Sequence, residues 1–212
     1  MSIELKEVLK QRILPAVNIE SADHALPVAE ALLKAGLNVM EIQFRTAFAV
    51  QAIAAIRKNF PEMNIGAGTL LSVDQLKSAM NAGAQFGLSP SLNKTICEEA
   101  NLINFPFIPG VMTPSDIEFA HELDYHILKL FPATQLGGAS FLKAMLGPYQ
   151  QLNVQFIPMG GVNINNMKEY MQLKNVIAVG GSWLVTKELQ LTRNYAAIHN
   201  HAVDALNAIK NS

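Results

Sequence analysis

The stretch ILPAVNIESADH (residues 13–24) decides between two folds. Its first seven residues form an apolar, partly β-branched run, as a buried strand requires. The residues after it contain no glycine. A doubly wound sheet usually carries a glycine fingerprint after its first strand, so that fold loses its main support here. The same kind of run recurs outward along the chain: NVMEIQF (38–44), NIGAGTL (64–70), FGLSP (86–90), FPFIPG (105–110), HILKLFP (126–132), QFIPMGG (155–161) and NVIAVGG (175–181). That makes eight candidate strands, with helix-spaced segments between them. Such alternation implies parallel pairing through right-handed crossovers. The expectation is an α/β fold, a small (β/α)8 TIM barrel with an extra helix before the first strand.

Helix punctuation supports the alternation. Ser72 with Gln75 reads as a capping box. Thr113, Pro114 and Asp116 supply a cap, an N1 proline and an early acid. KAGLN (34–38) and NAGAQ (81–85) each place a glycine where a helix would end. In ALPVAEALLKAGL (25–37), Leu26, Ala29, Leu33 and Gly36 fall on one stripe.

Composition narrows the class. Half of the 212 residues are hydrophobic and 16% are charged, which suits a globular protein with a sizeable core. No linker divides the chain, so residues 1–212 are expected to form a single domain. The net charge of -1 gives no reason to expect nucleic acid or an anionic membrane as partner. A single cysteine, Cys97, permits no intrachain disulfide and fits a cytoplasmic setting. The N-terminal MSIELKEVLKQR has no apolar signal core. No His, Asp and Glu set has a recognisable metal spacing, and neither a metal nor an organic cofactor is expected.

In a barrel the site lies at the C-terminal ends of the strands. Glu41, Gln43 and Arg45 alternate with apolar residues at the end of the second run and share the interior face. In the sixth run Ile127, Lys129 and Phe131 share a face. A lysine inside an apolar run is unexpected, because an ammonium buried without a partner is costly. Desolvation near a second cation favours the neutral amine that attacks a carbonyl. Lys129 would then form a Schiff base, Glu41 would shuttle protons and Arg45 would clamp a carboxylate. A lysine that reaches out to water, or is paired structurally with Glu41, would look the same in sequence. Gly160-Gly161 and Gly180-Gly181-Ser182 end the last two runs, where barrels often bind phosphate. SWLVTKEL (182–189) reads as the short helix of such a site. Paired glycines also simply permit tight turns. Met145, Met159 and Trp183 read as packing residues by default, and Cys97 as structural.

Taken together, EIQFRT (41–46), GAGTLL (66–71), SPSL (89–92), IPGVMTPSD (108–116), KLFPA (129–133), LKAMLGPY (142–149), PMGGVN (158–163) and GGSWLV (180–185) resemble the 2-keto-3-deoxy-6-phosphogluconate aldolase / 4-hydroxy-2-oxoglutarate aldolase family. The likeness spans nearly the whole chain in register. It implies a (β/α)8 class I aldolase, a homotrimer, acting on keto acid and aldehyde substrates. It implies that Lys129 forms the Schiff base with pyruvate and that Glu41 is the general acid/base. Arg45 and Thr69 match pyruvate-binding positions, and Gly160, Gly161, Gly181 and Ser182 match the phosphate-binding region. Pro90 and Phe131 complete the substrate-binding set. Two positions depart from the family pattern. Met159 replaces a threonine, and a thioether cannot donate a hydrogen bond to a substrate hydroxyl. Ser91 replaces a glycine beside the pyruvate pocket. The alternatives are a relative acting on another or a C4-epimeric keto acid, a phosphosugar isomerase or epimerase, and a non-catalytic phosphate-binding barrel.

Overall fold

The computed structural model describes residues 4–210. The first three residues of MSIELKEVLKQR therefore lie outside the described residues. After α1 (Leu5–Val8), strands and helices alternate. The first half runs β1 (Ile13–Val17), α2 (Ala22–Lys34), β2 (Val39–Gln43), α3 (Ala49–Asn59), β3 (Asn64–Gly68), α4 (Val73–Asn81), β4 (Phe86–Leu88) and α5 (Lys94–Leu102). The second half runs β5 (Phe107–Ile108), β6 (Gly110–Val111), α6 (Pro114–Glu122), β7 (Ile127–Leu130), α7 (Gly138–Leu146), β8 (Gln155–Pro158), α8 (Met167–Met171), β9 (Val179–Gly181), α9 (Lys187–Leu191) and α10 (Tyr195–Lys210).

All strand pairs are parallel. They form a curled six-stranded sheet, β5-β4-β3-β2-β1-β9, and a three-stranded sheet, β6-β7-β8. One uninterrupted eight-stranded ladder was expected, and the ladder breaks at two places. The fifth run is split at Pro109, which has no N–H to donate. Its carbonyl still accepts from Lys129 N–H at 2.9 Å. The eighth run pairs with β8 only through a bridge, Phe156 to Val176. There Phe156 N–H donates to the Asn175 carbonyl at 2.7 Å and Ile177 N–H to the Phe156 carbonyl at 3.1 Å.

Strands β1, β2 and β7 are buried along their whole length, as parallel strands covered by helices must be. The helix ends follow local chemistry. Thr113 and Asp116 complete a reciprocal capping box around Pro114. Ser72 makes only half of one: its Oγ accepts from Gln75 N–H, but Gln75 Oε1 takes the Leu71 N–H instead. Gly36 (φ +87°) and Gly83 (φ +100°) end α2 and α4 in the left-handed region. Leu37 N–H reaches back to the Leu32 carbonyl, and Ala84 N–H to that of Ala79, as Schellman caps require. The expected stripe on α2 is displaced. Its buried face is Ala25, Val28, Ala29 and Leu32, while Leu26 and Leu33 are half-buried. The helix also packs against α3 and α10, so apolar residues flanking the sheet-facing stripe find cover too.

Candidate active site

Period-two alternation along β2 turns Glu41 and Gln43 to the interior, and both are buried. Arg45 follows the strand and is exposed. Lys129 on β7 is 3% exposed, and its Nζ lies 3.5 Å from Glu41 Oε1. The ring of Phe131 stands 5.5 Å from the same Nζ. Both carboxylate oxygens of Glu41 are buried without a hydrogen-bond partner among the described residues. The ion contact is therefore the carboxylate's main support, and no hydrogen bond among the described residues occupies its lone pairs. Gly68 makes room for it. A Cβ there would lie 1.6 Å from Glu41 Oε1.

A cavity of about 420 Å³ opens beside Lys129. It gathers Arg45, Lys129, Phe131, Gly160, Gly161, Gly181 and Ser182 from the expected set. Gly160 (φ +87°) and Gly161 (φ +78°) adopt backbone that side chains rarely take. A Cβ on Gly161 would also come within 2.6 Å of Thr134. The glycine pair thus keeps its backbone open to the cavity.

Glu41, Thr69 and Pro90 do not line that space. Glu41 contacts Lys129, which does line it. Thr69 is buried just after β3 with φ +58°, a strained conformation for a β-branched residue. Pro90 follows β4, and its carbonyl presses on Gly110, where a Cβ would meet it at 2.3 Å. The expected helix at 182–189 is also corrected. Residues 182–185 bend, and α9 begins only at Lys187, capped by Thr186, whose Oγ1 accepts from Leu189 N–H at 3.3 Å. Ser182 therefore precedes the helix by a full turn.

Asn18, Met159, Trp183 and Thr186 also line the cavity. Met159 and Trp183 read as packing residues in the sequence, and Asn18 carried no signal beyond its place inside the first apolar run, which the structure ends at Val17. Larger cavities, of about 590 and 780 Å³, lie elsewhere and contain no buried ion pair. Among the described residues no three His, Cys, Asp or Glu side chains gather as a metal set. Cys97 is fully buried on α5, and burial pushes its thiol up to about 12, away from nucleophilic use.

The chain as a whole is similar to known proteins. A family model described as KDPG and KHG aldolase matches residues 5–201. The chain is 39% identical to 2-dehydro-3-deoxy-phosphogluconate aldolase of Haemophilus influenzae, over 97% of this chain and 96% of that one. It is 38% identical to KHG/KDPG aldolase of Escherichia coli, over 93% and 92%. Its structure is similar to KDPG aldolase from Legionella pneumophila with pyruvate captured as a covalent carbinolamine intermediate. The TM-score is 0.92 at 34% identity, over 97% of this chain and 99% of that one.

Proposed function

The chain belongs to the KDPG and KHG aldolase family, and on that premise we propose that it cleaves a 2-keto-4-hydroxy acid reversibly to pyruvate and an aldehyde through a Schiff base on Lys129. It is a class I aldolase, a carbon–carbon lyase. The substrates, in line with its relatives' names, are 2-keto-3-deoxy-6-phosphogluconate, giving glyceraldehyde 3-phosphate, and 4-hydroxy-2-oxoglutarate, giving glyoxylate.

The observation that carries this reading is the buried Lys129 Nζ, 3.5 Å from a carboxylate with no hydrogen bond, beside a cavity. Neutral Lys129 attacks the C2 ketone to give a carbinolamine. Glu41 moves the protons by which water leaves and the imine forms. It then takes the proton of the C4 hydroxyl, and the C3–C4 bond breaks. The electron pair passes into the protonated imine, leaving an enamine and the free aldehyde. Protonation at C3 and hydrolysis release pyruvate and restore Lys129. Arg45 and Thr69 hold the pyruvate carboxylate, with Pro90 and Phe131 shaping that end. Gly160, Gly161, Gly181 and Ser182 receive the distal anion. The steps call on no cofactor.

The same reading joins the two sheets into one (β/α)8 barrel and one domain over residues 1–212. It is supported by the hydrogen bonds around Pro109 and at Phe156. A homotrimer in the cytoplasm with small-molecule partners completes the proposal, and light scattering tests the assembly. No helix among the described residues is long and apolar enough to cross a membrane.

The deciding experiment is intact-protein mass spectrometry after pyruvate and borohydride. Wild type should gain a reduced pyruvyl adduct that Lys129→Ala lacks. A folded wild type without the adduct would remove the mechanism.

A further inference from the structure

Two residues that line the cavity each carry a polar atom buried without a partner among the described residues: Asn18 Oδ1 and Trp183 Nε1. One accepts and one donates, and neither is charged. A buried polar atom left unpaired is disfavoured, and such an atom in a cavity marks where a ligand completes the bonding. Nearby Ala16, Met159 and Val162 offer only apolar side chains to the same space.

Asn18 is held in place from the far end of the chain. It follows β1, and its backbone carbonyl accepts from Gln190 Nε2 at 2.8 Å. Glu20 N–H donates to Gln190 Oε1 at 3.3 Å. Gln190, on α9, is 1% exposed, so both ends of its carboxamide serve this loop. Lys187, on the same helix, pairs with Glu20 at 3.1 Å. Asn18, Ser182, Thr186 and Gln190 also line an adjoining cavity of about 230 Å³. This places Asn18 at the end of β1, between the ends of β2 and β9.

We propose that Asn18 is a specificity-determining residue, its free Oδ1 accepting a hydrogen bond from a hydroxyl on the aldehyde-derived half of the substrate, and that Gln190 is the residue that positions it. An amide oxygen takes an O–H and disfavours an anion, so the group it reads is a neutral hydroxyl. The Trp183 N–H on the same wall is free to donate to that hydroxyl's oxygen. The inference rests on the Schiff-base reading of Lys129.

The test is condensation of pyruvate with glyceraldehyde and with propanal, which lacks the hydroxyls. Wild type, Asn18→Ala, Gln190→Leu and the double variant are compared, each with borohydride trapping of pyruvate as control. Wild type should prefer glyceraldehyde in kcat/KM. Both single variants should lower that preference on the order of tenfold. Rates with propanal and the trapped adduct should hold, and the double variant should fall no further than Asn18→Ala. An unchanged preference in Asn18→Ala with trapping intact would overturn the proposal. A loss in Asn18→Ala but not in Gln190→Leu would overturn the positioning role. The Asn18 side chain makes no hydrogen bond among the described residues, so its variant keeps the test decisive should Gln190→Leu fail to fold. Absence of trapping in wild type would instead strike the Schiff-base reading.

Discussion

Replacing Gly68 by alanine should disable proton transfer while sparing the lysine. The added Cβ would lie 1.6 Å from Glu41 Oε1, 2.3 Å from Cδ and 2.5 Å from Cγ. Carbon and oxygen do not approach closer than about 3 Å without bonding, so the carboxylate must retreat by about 1.5 Å. It now sits 3.5 Å from Lys129 Nζ. A general base must lie within about 2.6–3.2 Å of the proton's donor, directly or through one water. A misplacement of about 1 Å costs on the order of 10²-fold in rate. Gly68→Ala should therefore lower kcat about 100-fold, which is about 2.7 kcal/mol of barrier. Overpacking should also cost about 1–3 kcal/mol of stability. The assay is pyruvate release under saturating keto acid, with circular dichroism to verify folding. Borohydride should still trap pyruvate on Lys129, more slowly. A folded Gly68→Ala variant with wild-type kcat would refute the claim that Glu41's position sets the rate.

Arg45→Leu should raise KM for the keto acid about 10–100-fold, the worth of a charge-assisted hydrogen bond, while pyruvate trapping persists at saturation; an unchanged KM would remove Arg45 from carboxylate binding. Thr69→Gly should relieve the strain of φ +58° and raise Tm by a few degrees, at a net gain of about 1 kcal/mol. It should lose activity with the hydroxyl, and a fall in Tm would show that the strain is not there. Alkaline pH should weaken the fold through α5. Burial pushes the Cys97 thiol up to about 12 and also raises the Tyr125 phenol. For Cys97 the folded state keeps a proton that the unfolded chain loses near pH 8.5. Its contribution is thus complete below that pH and disappears as pH rises towards 12. Urea midpoints measured from pH 7 to 11 should fall across that window, and Cys97→Ala should flatten the slope.

The sequence by itself determined what local chemistry controls. Strand and helix alternate because apolar runs and glycine punctuation bias each segment's own backbone. Thr113 with Asp116, Gly36 and Gly83 end helices where their side chains, or lack of them, demand it. Period two put Glu41 and Gln43 on one face, and the cost of burying an ammonium singled out Lys129. Only the tertiary structure decided the distances. The packing of the two sheets brings Lys129 Nζ on β7 within 3.5 Å of β2's carboxylate, and no spacing along the chain encodes that approach. Nor does it encode that Gly68 leaves the volume Glu41 occupies, since that need arises between neighbouring strands. Asn18 looked like part of a strand, and Met159 and Trp183 like packing residues, because a cavity is defined by what surrounds it. The break at Pro109 and the late start of α9 at Lys187 had the same origin. Both depend on which backbone groups find partners once the chain has folded, a condition set by the whole structure.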